Sequence, residues 1–255
     1  MLKIHPIPAF VDNYIWAIYD KNRCVVVDPG DASEVRSFLN AHDLTLTDIL
    51  ITHHHHDHTG GVVQLISMYP DVRVFGPHNK RIAGIKTHVK EGDQVSLFDE
   101  QLLLEVMEVP GHTLDHIAYF NHTWVFCGDT LFSAGCGRMF EGEPKMYWNS
   151  LRKLKQLNDE TKVFCTHEYT LANLAFALHI DSDNAELSDY RAWAAGQRNS
   201  FLPTLPTDIK TQKRINPFLR CDDESFVATL KGKLDLSDHA ADTVFAACRL
   251  AKDTF

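Results

Sequence analysis

Thr52-His53-His54-His55-His56-Asp57-His58 is the stretch that decides the fold and the chemistry of this 255-residue chain. It follows the apolar run Ile49-Leu50-Ile51 and precedes Thr59-Gly60-Gly61. A short apolar run bounded by a glycine pair predicts a buried strand that ends in a loop. Side chains on such a loop can converge on one point, and zinc and its neighbours accept both imidazole nitrogen and carboxylate oxygen. The stretch therefore predicts a metal site, with a solvated polar loop as the alternative.

Three further stretches deliver a potential ligand in the same way, at the end of an apolar, β-rich run. They are Val106–Gly111 before His112, Trp124–Gly128 before Asp129, and Lys162–Thr166 before His167. Taken singly, a histidine after Pro-Gly is typical of a turn, and Gly-Asp-Thr is typical of a turn or a helix N-cap. Their order after the first motif favours metal ligands. The histidines without such a pattern are interpreted as structural or surface residues: His5, His42, His78, His88, His116, His122, His179 and His239.

The order Thr-His-x-His-x-Asp-His, Gly-His, Gly-Asp and strand-end histidine resembles the metallo-β-lactamase superfamily. Asp28, within Val25–Gly30, matches the superfamily's early strand-end aspartate, which supports the metal ligands without binding the metal itself. The closer resemblance is to the glyoxalase II family, the hydroxyacylglutathione hydrolases. It rests on segments that run from the first residues to the last: Ile7–Tyr14, Gly135–Arg138, Thr166–Thr170 and Asn216–Arg220.

The resemblance implies an α/β fold, the metallo-β-lactamase αββα sandwich, followed by a smaller C-terminal α-helical domain. We therefore expect a catalytic domain over residues 1–167 and a helical substrate-binding domain over residues 168–255. The local patterns agree, since β-rich runs alternate with helices before His167 and apolar residues recur at helical spacing after it. Helices are predicted from a capping box and from proline stops at Asp31–Leu39, Gly61–Tyr69, Tyr147–Leu157 and Ala185–Arg198.

Five histidines and two aspartates are more ligands than one ion uses, so two divalent metal ions are predicted. By resemblance, the first ion is bound by His53, His55 and His112, and the second by Asp57, His58 and His167. Asp129 would bridge the two ions, and His54 and His56 have no role in this scheme. Zinc is the expected metal, while iron and manganese are compatible with a His/Asp site.

The predicted reaction is hydrolysis of S-D-lactoylglutathione, and of other S-(2-hydroxyacyl)glutathiones, to a 2-hydroxy acid and glutathione. This is the second step of methylglyoxal detoxification. The expected nucleophile is a metal-bridging hydroxide, because paired cations lower the pKa of bound water. Asp57 and Asp129 are the expected catalytic residues. The resemblance assigns glutathione binding to a basic and aromatic patch of Arg138, Tyr169, Arg249 and Lys252, whereas Phe140 is expected to pack.

Two alternatives stay open at this stage, a mononuclear-iron persulfide dioxygenase and a non-catalytic metal-binding protein of the same fold. The complete second ligand set of Asp57, His58 and His167 and the helical tail favour the hydrolase. A net charge of −9 argues against nonspecific nucleic-acid binding. No stretch has the pattern of a membrane span or a signal peptide, so we expect a cytoplasmic location. A monomer is the expected oligomeric state. The six cysteines form no Cys-x-x-Cys pair and are predicted to remain thiols.

Overall fold

The chain folds into two compact units, and the computed structural model describes all of its residues, 1–255. Unit 1 comprises Met1–Glu108, Asp115–Asn121 and Val125–Gly128, whereas unit 2 comprises Val109–Leu114, His122–Trp124 and Asp129–Phe255. No helix in either unit combines the length and the apolar character needed to cross a lipid bilayer.

Unit 1 contains a six-stranded sheet in which the strands lie in chain order. They are β1 (Lys3–Ala9), β2 (Asn13–Tyr19), β3 (Arg23–Val27), β4 (Thr45–Leu50), β5 (Arg73–Gly76) and β6 (Thr87–His88). Strands β1 to β3 are antiparallel neighbours, and β3 to β6 pair in parallel. Parallel strands end at the same edge of a sheet, so the residues after β3 and β4 meet there. The Asp28 amide donates to the Leu50 carbonyl at 2.9 Å.

Three helices connect the parallel strands of this sheet. They are α1 (Ala32–His42), α2 (His56–Thr59) and α3 (Val62–Met68). The Asp31 carboxylate accepts from the Ser33 amide, which confirms the predicted start of α1. This helix runs three residues beyond its predicted end, and Asp43 in the left-handed region (φ 53°) then closes it. Val35 of α1 and Leu65 of α3 are fully buried in the aliphatic core of the unit.

Unit 1 also contains an antiparallel set of strands. In the order in which they neighbour each other, they are β7 (Gln94–Leu97), β8 (Leu102–Glu108), β9 (Ile117–Phe120) and β10 (Trp124–Gly128, of which the first residue belongs to unit 2). Tyr119 of β9 is fully buried and donates its hydroxyl hydrogen to the Ile51 carbonyl at 3.0 Å. This bond ties β9 to the residue that follows β4, where the histidine-rich motif begins.

Unit 2 is mainly helical. Its strands are β11 (Leu131–Phe132), β12 (Gly135–Cys136), β13 (Lys162–Cys165) and β14 (Thr207–Asp208). Its helices are α4 (Pro144–Lys155), α5 (Thr170–Ile180), α6 (Ala185–Asn199), α7 (Ile209–Ile215), a 3-10 turn (Pro217–Leu219), α8 (Glu224–Thr229) and α9 (Ala241–Thr254). The predicted helical character of the chain after His167 is therefore confirmed. Helix α4 starts at Pro144, before the predicted start, because proline fits the first helical position.

Asn216 anchors the β11–β12 hairpin from a fully buried position. Its Nδ2 donates to the carbonyls of Phe132 and Gly135 at 3.0 and 2.9 Å, and its Oδ1 accepts from the Phe218 amide at 3.0 Å. The side chain thus satisfies groups on both the hairpin and the 3-10 turn. Buried carbonyls that lose such a donor keep the cost of desolvation without compensation.

We expect Asn216→Ala to destabilise the protein by about 1–3 kcal/mol, because the four hydrogen bonds of this buried side chain are lost together. Thermal unfolding followed by circular dichroism measures the change in melting temperature. Asn199→Ala, at the exposed end of α6, is the matched control and should stay near the parent value. Equal melting temperatures for the two variants would contradict the anchoring role of Asn216.

Candidate metal centre

The ligand loop, residues 52–58, begins just after β4 and is held by main-chain hydrogen bonds. The Ile51 amide donates to the Phe75 carbonyl, and the Thr52 carbonyl accepts from the Ile117 amide, both at 2.9 Å. Ile51 and Thr52 are fully buried. The loop therefore starts from a fixed platform, which suits side chains that must converge closely.

One turn of helix interrupts this segment, whereas the sequence analysis predicts a loop throughout. The turn is α2, and in it the amides of His58 and Thr59 both donate to the His55 carbonyl at 3.1 Å. Residues of low helix propensity form these bonds, so periodicity does not reveal them. The turn brings Asp57 Oδ2 to 3.4 Å from His58 Nε2.

The Asp28 carboxylate organises the loop from the end of β3. Asp28 is 2% exposed and accepts from the amide and the hydroxyl of Thr52, both at 2.8 Å. Its Oδ2 also lies 3.0 Å from His58 Nδ1. Because an ionised carboxylate only accepts, His58 carries its proton on Nδ1 and presents the lone pair of Nε2.

The same carboxylate sets the tautomer of His53 through Thr52. The Thr52 hydroxyl donates to Asp28 and therefore accepts from His53 Nδ1, which is 3.0 Å away. The lone pair of His53 is then on Nε2, and this atom lies 3.0 Å from His55 Nδ1. The ring centroids of His53 and His58 are 4.1 Å apart. Three imidazole rings of the loop are thus gathered at one place.

The other three predicted ligands lie together in unit 2. Asp129 Oδ2 is 3.5 Å from His112 Nε2 and 3.3 Å from His167 Nε2. His112 Nδ1 donates to the Arg138 carbonyl at 2.7 Å, which again leaves the lone pair on Nε2. One carboxylate oxygen therefore lies close to two imidazole nitrogens, and all three side chains are buried.

Three of the four separations between predicted ligand atoms fit metal binding better than hydrogen bonding, whereas His53 Nε2 and His55 Nδ1, 3.0 Å apart, lie within hydrogen-bonding distance. Ligand atoms about 2.0–2.1 Å from a tetrahedral zinc ion lie about 3.3–3.4 Å from one another. The observed separations are 3.4 Å for Asp57 with His58, and 3.5 and 3.3 Å for Asp129 with His112 and His167. Charge-assisted hydrogen bonds are shorter, about 2.7–2.9 Å. The His/Asp clusters thus fit divalent-metal binding.

His54 and His56 take no part in these clusters. His54 Nδ1 lies 2.8 Å from Asp115 Oδ1, and His54 Nε2 lies 2.9 Å from Arg81 Nη1. A guanidinium only donates, so Nε2 accepts from Arg81 and Nδ1 donates to Asp115. Both ring nitrogens of His54 are used in this way, and His56 is exposed. The geometry agrees with leaving both residues out of the ligand set.

His116 supports the site by a contact that sequence reasoning missed. The residue is fully buried, and its ring stacks on that of His53, with centroids 4.4 Å apart and planes at 16°. Gly128 allows this packing, since a Cβ there would lie 2.4 Å from Thr52 Oγ1 and 2.8 Å from His116 Cε1. The contact joins distant parts of the chain, so no local pattern could have revealed it.

The expected glutathione-binding residues have different surroundings in unit 2. Tyr169 stacks on His167, with ring centroids 4.6 Å apart and planes at 2°. The Arg138 side chain is 60% exposed, and its Nε lies 3.3 Å from Asp253 Oδ1. Lys252 is half-buried, and its Nζ lies 3.4 Å from the Ala172 carbonyl.

Arg249 and Phe140 differ from simple expectation. Arg249 is only 6% exposed, although its position on the last helix is typical of a solvated helix end. The burial of Arg249 cannot be predicted from the sequence, because it depends on the β11–β12 hairpin that α9 covers.

Phe140 is expected to pack, and its ring does contact that of His112 at a centroid distance of 5.3 Å. It nevertheless leaves 61% of its surface exposed.

The thiol of Cys136 is unsuited to nucleophilic attack. Burial raises its pKa to about 11, against the opposing effect of the Arg249 charge. The thiolate, which is the reactive form, is therefore disfavoured at neutral pH. Tight packing, the sequence-based interpretation of this residue, is consistent with its burial.

Comparisons with known proteins identify two family models that together span most of the chain. The model described as "Metallo-beta-lactamase superfamily" matches residues 9–167, and "Hydroxyacylglutathione hydrolase C-terminus" matches residues 168–255. The chain is 50% identical to the hydroxyacylglutathione hydrolase of Photobacterium profundum and 48% identical to that of Vibrio parahaemolyticus. Both matches cover 100% of this chain and 100% of the relative.

Solved structures with the same fold confirm the predicted fold class. ETHE1 from Myxococcus xanthus has a TM-score of 0.65 at 25% identity, covering 100% of this chain and 99% of that chain. The BLEG-1 B3 metallo-beta-lactamase has a TM-score of 0.64 at 20% identity, covering 86% of this chain and 99% of that chain. The chain therefore has the metallo-β-lactamase fold with a helical C-terminal region.

We expect Asp28→Asn to weaken zinc binding by about 10–100-fold, because an amide cannot accept from Thr52 and His58 through both of its ends. Competition with a chromogenic chelator on the initially metal-free protein measures the affinity. Asp31→Asn is the matched control, since Asp31 caps α1. Unchanged zinc affinity in Asp28→Asn would show that this carboxylate does not orient the ligands.

Proposed function

Because the chain belongs to the hydroxyacylglutathione hydrolase family of the metallo-β-lactamase superfamily, we propose that it hydrolyses S-(2-hydroxyacyl)glutathiones, S-D-lactoylglutathione foremost. The products are glutathione and a 2-hydroxy acid, which is D-lactate for that substrate. The observation that carries this function is the 50% identity to a hydroxyacylglutathione hydrolase over the whole length of both chains. The reaction completes the detoxification of methylglyoxal.

The two alternative functions have weaker support. A mononuclear-iron persulfide dioxygenase would share the fold, but the full-length relatives of 46–50% identity are named hydroxyacylglutathione hydrolase. A non-catalytic metal-binding protein is disfavoured by the same relatives. The hydrolase is therefore the function to test first.

The proposed cofactor is a pair of divalent metal ions, with zinc as the first choice. His53, His55 and His112 would bind one ion, Asp57, His58 and His167 the other, and Asp129 both. This assignment comes from the family resemblance. It is supported within unit 1 by the gathered imidazoles and within unit 2 by the position of Asp129 Oδ2 near two imidazole nitrogens.

When bound, two such ions polarise the thioester carbonyl and lower the pKa of water. Asp57 would orient that water, and the 38% exposure of its side chain supports this role. Asn13 Nδ2 donates to Asp57 Oδ2 at 3.0 Å and so holds the carboxylate in one orientation. Water forms the new C–O bond while the C–S bond breaks. The thiol that leaves has a pKa of about 8.5, so its sulfur departs with little help from an acid.

The proposed glutathione site uses the basic and aromatic residues of unit 2. Arg138 offers an exposed guanidinium, which suits a carboxylate of the tripeptide. Tyr169, stacked on His167, offers an aromatic face beside a proposed ligand. Burial lowers the pKa of Lys252, and the neighbouring Arg249 charge lowers it further. A bound carboxylate would relieve both effects, which favours anion binding there.

Several wider expectations stay proposals. The division into a catalytic domain over 1–167 and a substrate-binding domain over 168–255 is supported by the ranges of the two family models. A glutathione thioester is the small-molecule partner that the relatives' name supports. A monomeric state and a cytoplasmic location, without nucleic-acid or membrane partners, are kept as predictions from composition and pattern.

We expect the zinc-loaded protein to hydrolyse S-D-lactoylglutathione, measured as loss of thioester absorbance. Dialysis against a chelator should abolish turnover, and added zinc should restore it, since the metal supplies the activated water. If the metal-loaded protein does not hydrolyse the thioester, the proposed function is refuted. Oxygen uptake with glutathione persulfide would then favour the dioxygenase.

Asp129→Ala serves as the site-specific control for that experiment. It should lose bound metal and turnover together, because Asp129 is the proposed shared ligand. Asp159→Ala removes an exposed carboxylate that pairs with Lys213, and it should keep both. Full activity in Asp129→Ala would refute the ligand assignment.

We expect Lys252→Ala to raise the KM for S-D-lactoylglutathione about 5–30-fold, from the loss of one charge-assisted bond of about 1–2 kcal/mol. The metal content should stay at the parent level. Lys210→Ala is the control, because Lys210 is exposed and pairs with Glu160. A KM equal to that of the control would exclude Lys252 from the substrate site.

A further inference from the structure

Arg249 of α9 holds the main chain at the β12 end of the hairpin. Its Nη1 donates to the Cys136 carbonyl at 2.9 Å and lies 3.4 Å from the Gly137 carbonyl. Its Nη2 donates to Asp253 Oδ1 at 3.0 Å, and the Phe218 ring lies 5.1 Å from the guanidinium carbon. Arg249 is 6% exposed, and protein acceptors hold its Nη1 and Nη2, whereas its buried Nε has no hydrogen-bond partner.

The segment that Arg249 holds packs directly on two proposed ligands. A Cβ at Gly137 would lie 2.1 Å from the Asp129 carbonyl and 2.9 Å from His112 Nδ1. The following residue, Arg138, accepts the His112 Nδ1 hydrogen bond through its carbonyl at 2.7 Å. The carbonyls of residues 136, 137 and 138 are consecutive, so a shift of the first two moves the third. His112 would then lose the acceptor that fixes its tautomer.

We propose that Arg249 is a positioning residue for the metal centre, which orients His112 by holding the carbonyl groups of residues 136–138. The inference rests on the proposed role of His112 as a metal ligand. It adds to the role that the family resemblance assigns to Arg249, which is direct binding of glutathione. The burial of Arg249 and its three bonds to protein acceptors support the positioning role.

The role requires arginine and not merely a positive charge. The planar guanidinium donates in two fixed directions, here toward the hairpin carbonyls and toward Asp253. The single ammonium of a lysine cannot reproduce both directions from the same backbone position. A direct electrostatic role toward substrate would, in contrast, be largely preserved by lysine. Arg249→Lys therefore separates the two roles.

The test compares Arg249→Ala and Arg249→Lys with the parent protein, using the full chain. Zinc affinity is measured by chelator competition, and the absorption spectrum of the cobalt-substituted protein reports the ligand geometry. We expect both variants to bind zinc about 10–100-fold more weakly and to alter the cobalt spectrum. The inference is overturned if both variants keep the zinc affinity and the cobalt spectrum of the parent protein, whatever happens to KM.

Three further variants make the result decisive. Val244→Ala removes a fully buried side chain from the same helix and should leave zinc affinity unchanged. If it weakens zinc binding as much as Arg249→Ala, general loss of packing explains the effect and the positioning role falls. Asp253→Asn weakens the second bond of Arg249 without deleting the guanidinium, and should reduce zinc affinity less, in the same direction.

His112→Ala, the third variant, distinguishes failure of this inference from failure of the proposed function. It should weaken zinc binding at least as strongly as Arg249→Ala. If His112→Ala binds zinc like the parent, the ligand assignment is wrong and the positioning role falls with it. If His112→Ala loses affinity but the Arg249 variants do not, the ligand assignment stands and the positioning role alone is refuted.

Discussion

The arrangement of the histidine-rich loop depends on one buried carboxylate, that of Asp28. Burying a charge is costly unless hydrogen bonds compensate it, and here two donors of Thr52 and one of His58 do so. The carboxylate reaches them because Asp28 lies in the left-handed region, φ 53°, directly after a strand. Nearby, the backbone of Gly30 packs closely on the ligand loop, since a Cβ at Gly30 would lie 1.9 Å from the Asp57 carbonyl. Asp28, at the end of β3, thus links this strand to the ligand loop.

Much of this protein can be predicted from its sequence, because the decisive signals are local. The strand-end positions of Asp28 and of the proposed ligands follow from apolar runs that stop at glycine or threonine. Capping residues such as Asp31 reveal where helices start. The helical spacing of apolar residues after His167 reveals the helical tail. The grouping of ligands into two ions is not visible in this way. It comes from resemblance to a known family.

The parts that cannot be predicted are those that depend on contacts between distant residues. His116 looks like an ordinary histidine in the sequence, yet it stacks on His53. His54 seems a spare member of its run, yet it joins Asp115 to Arg81. Helical spacing places Arg249 on a face of α9 but does not tell whether a hairpin covers that face. In each case the chemical role is set by tertiary neighbours, which composition and periodicity do not encode.

The burial of every cysteine has a consequence for an enzyme that releases a thiol. All six are buried and outside disulfides: Cys24, Cys127, Cys136, Cys165, Cys221 and Cys248. Formation of a mixed disulfide with glutathione disulfide requires a protein thiolate that can reach and attack a sulfur of that disulfide. Burial raises the pKa of Cys24, Cys136 and Cys221, so these thiols stay protonated. Burial also keeps a disulfide partner from reaching their sulfur atoms. The burial of all six thiols therefore disfavours S-glutathionylation of the folded protein in a pool of glutathione and glutathione disulfide.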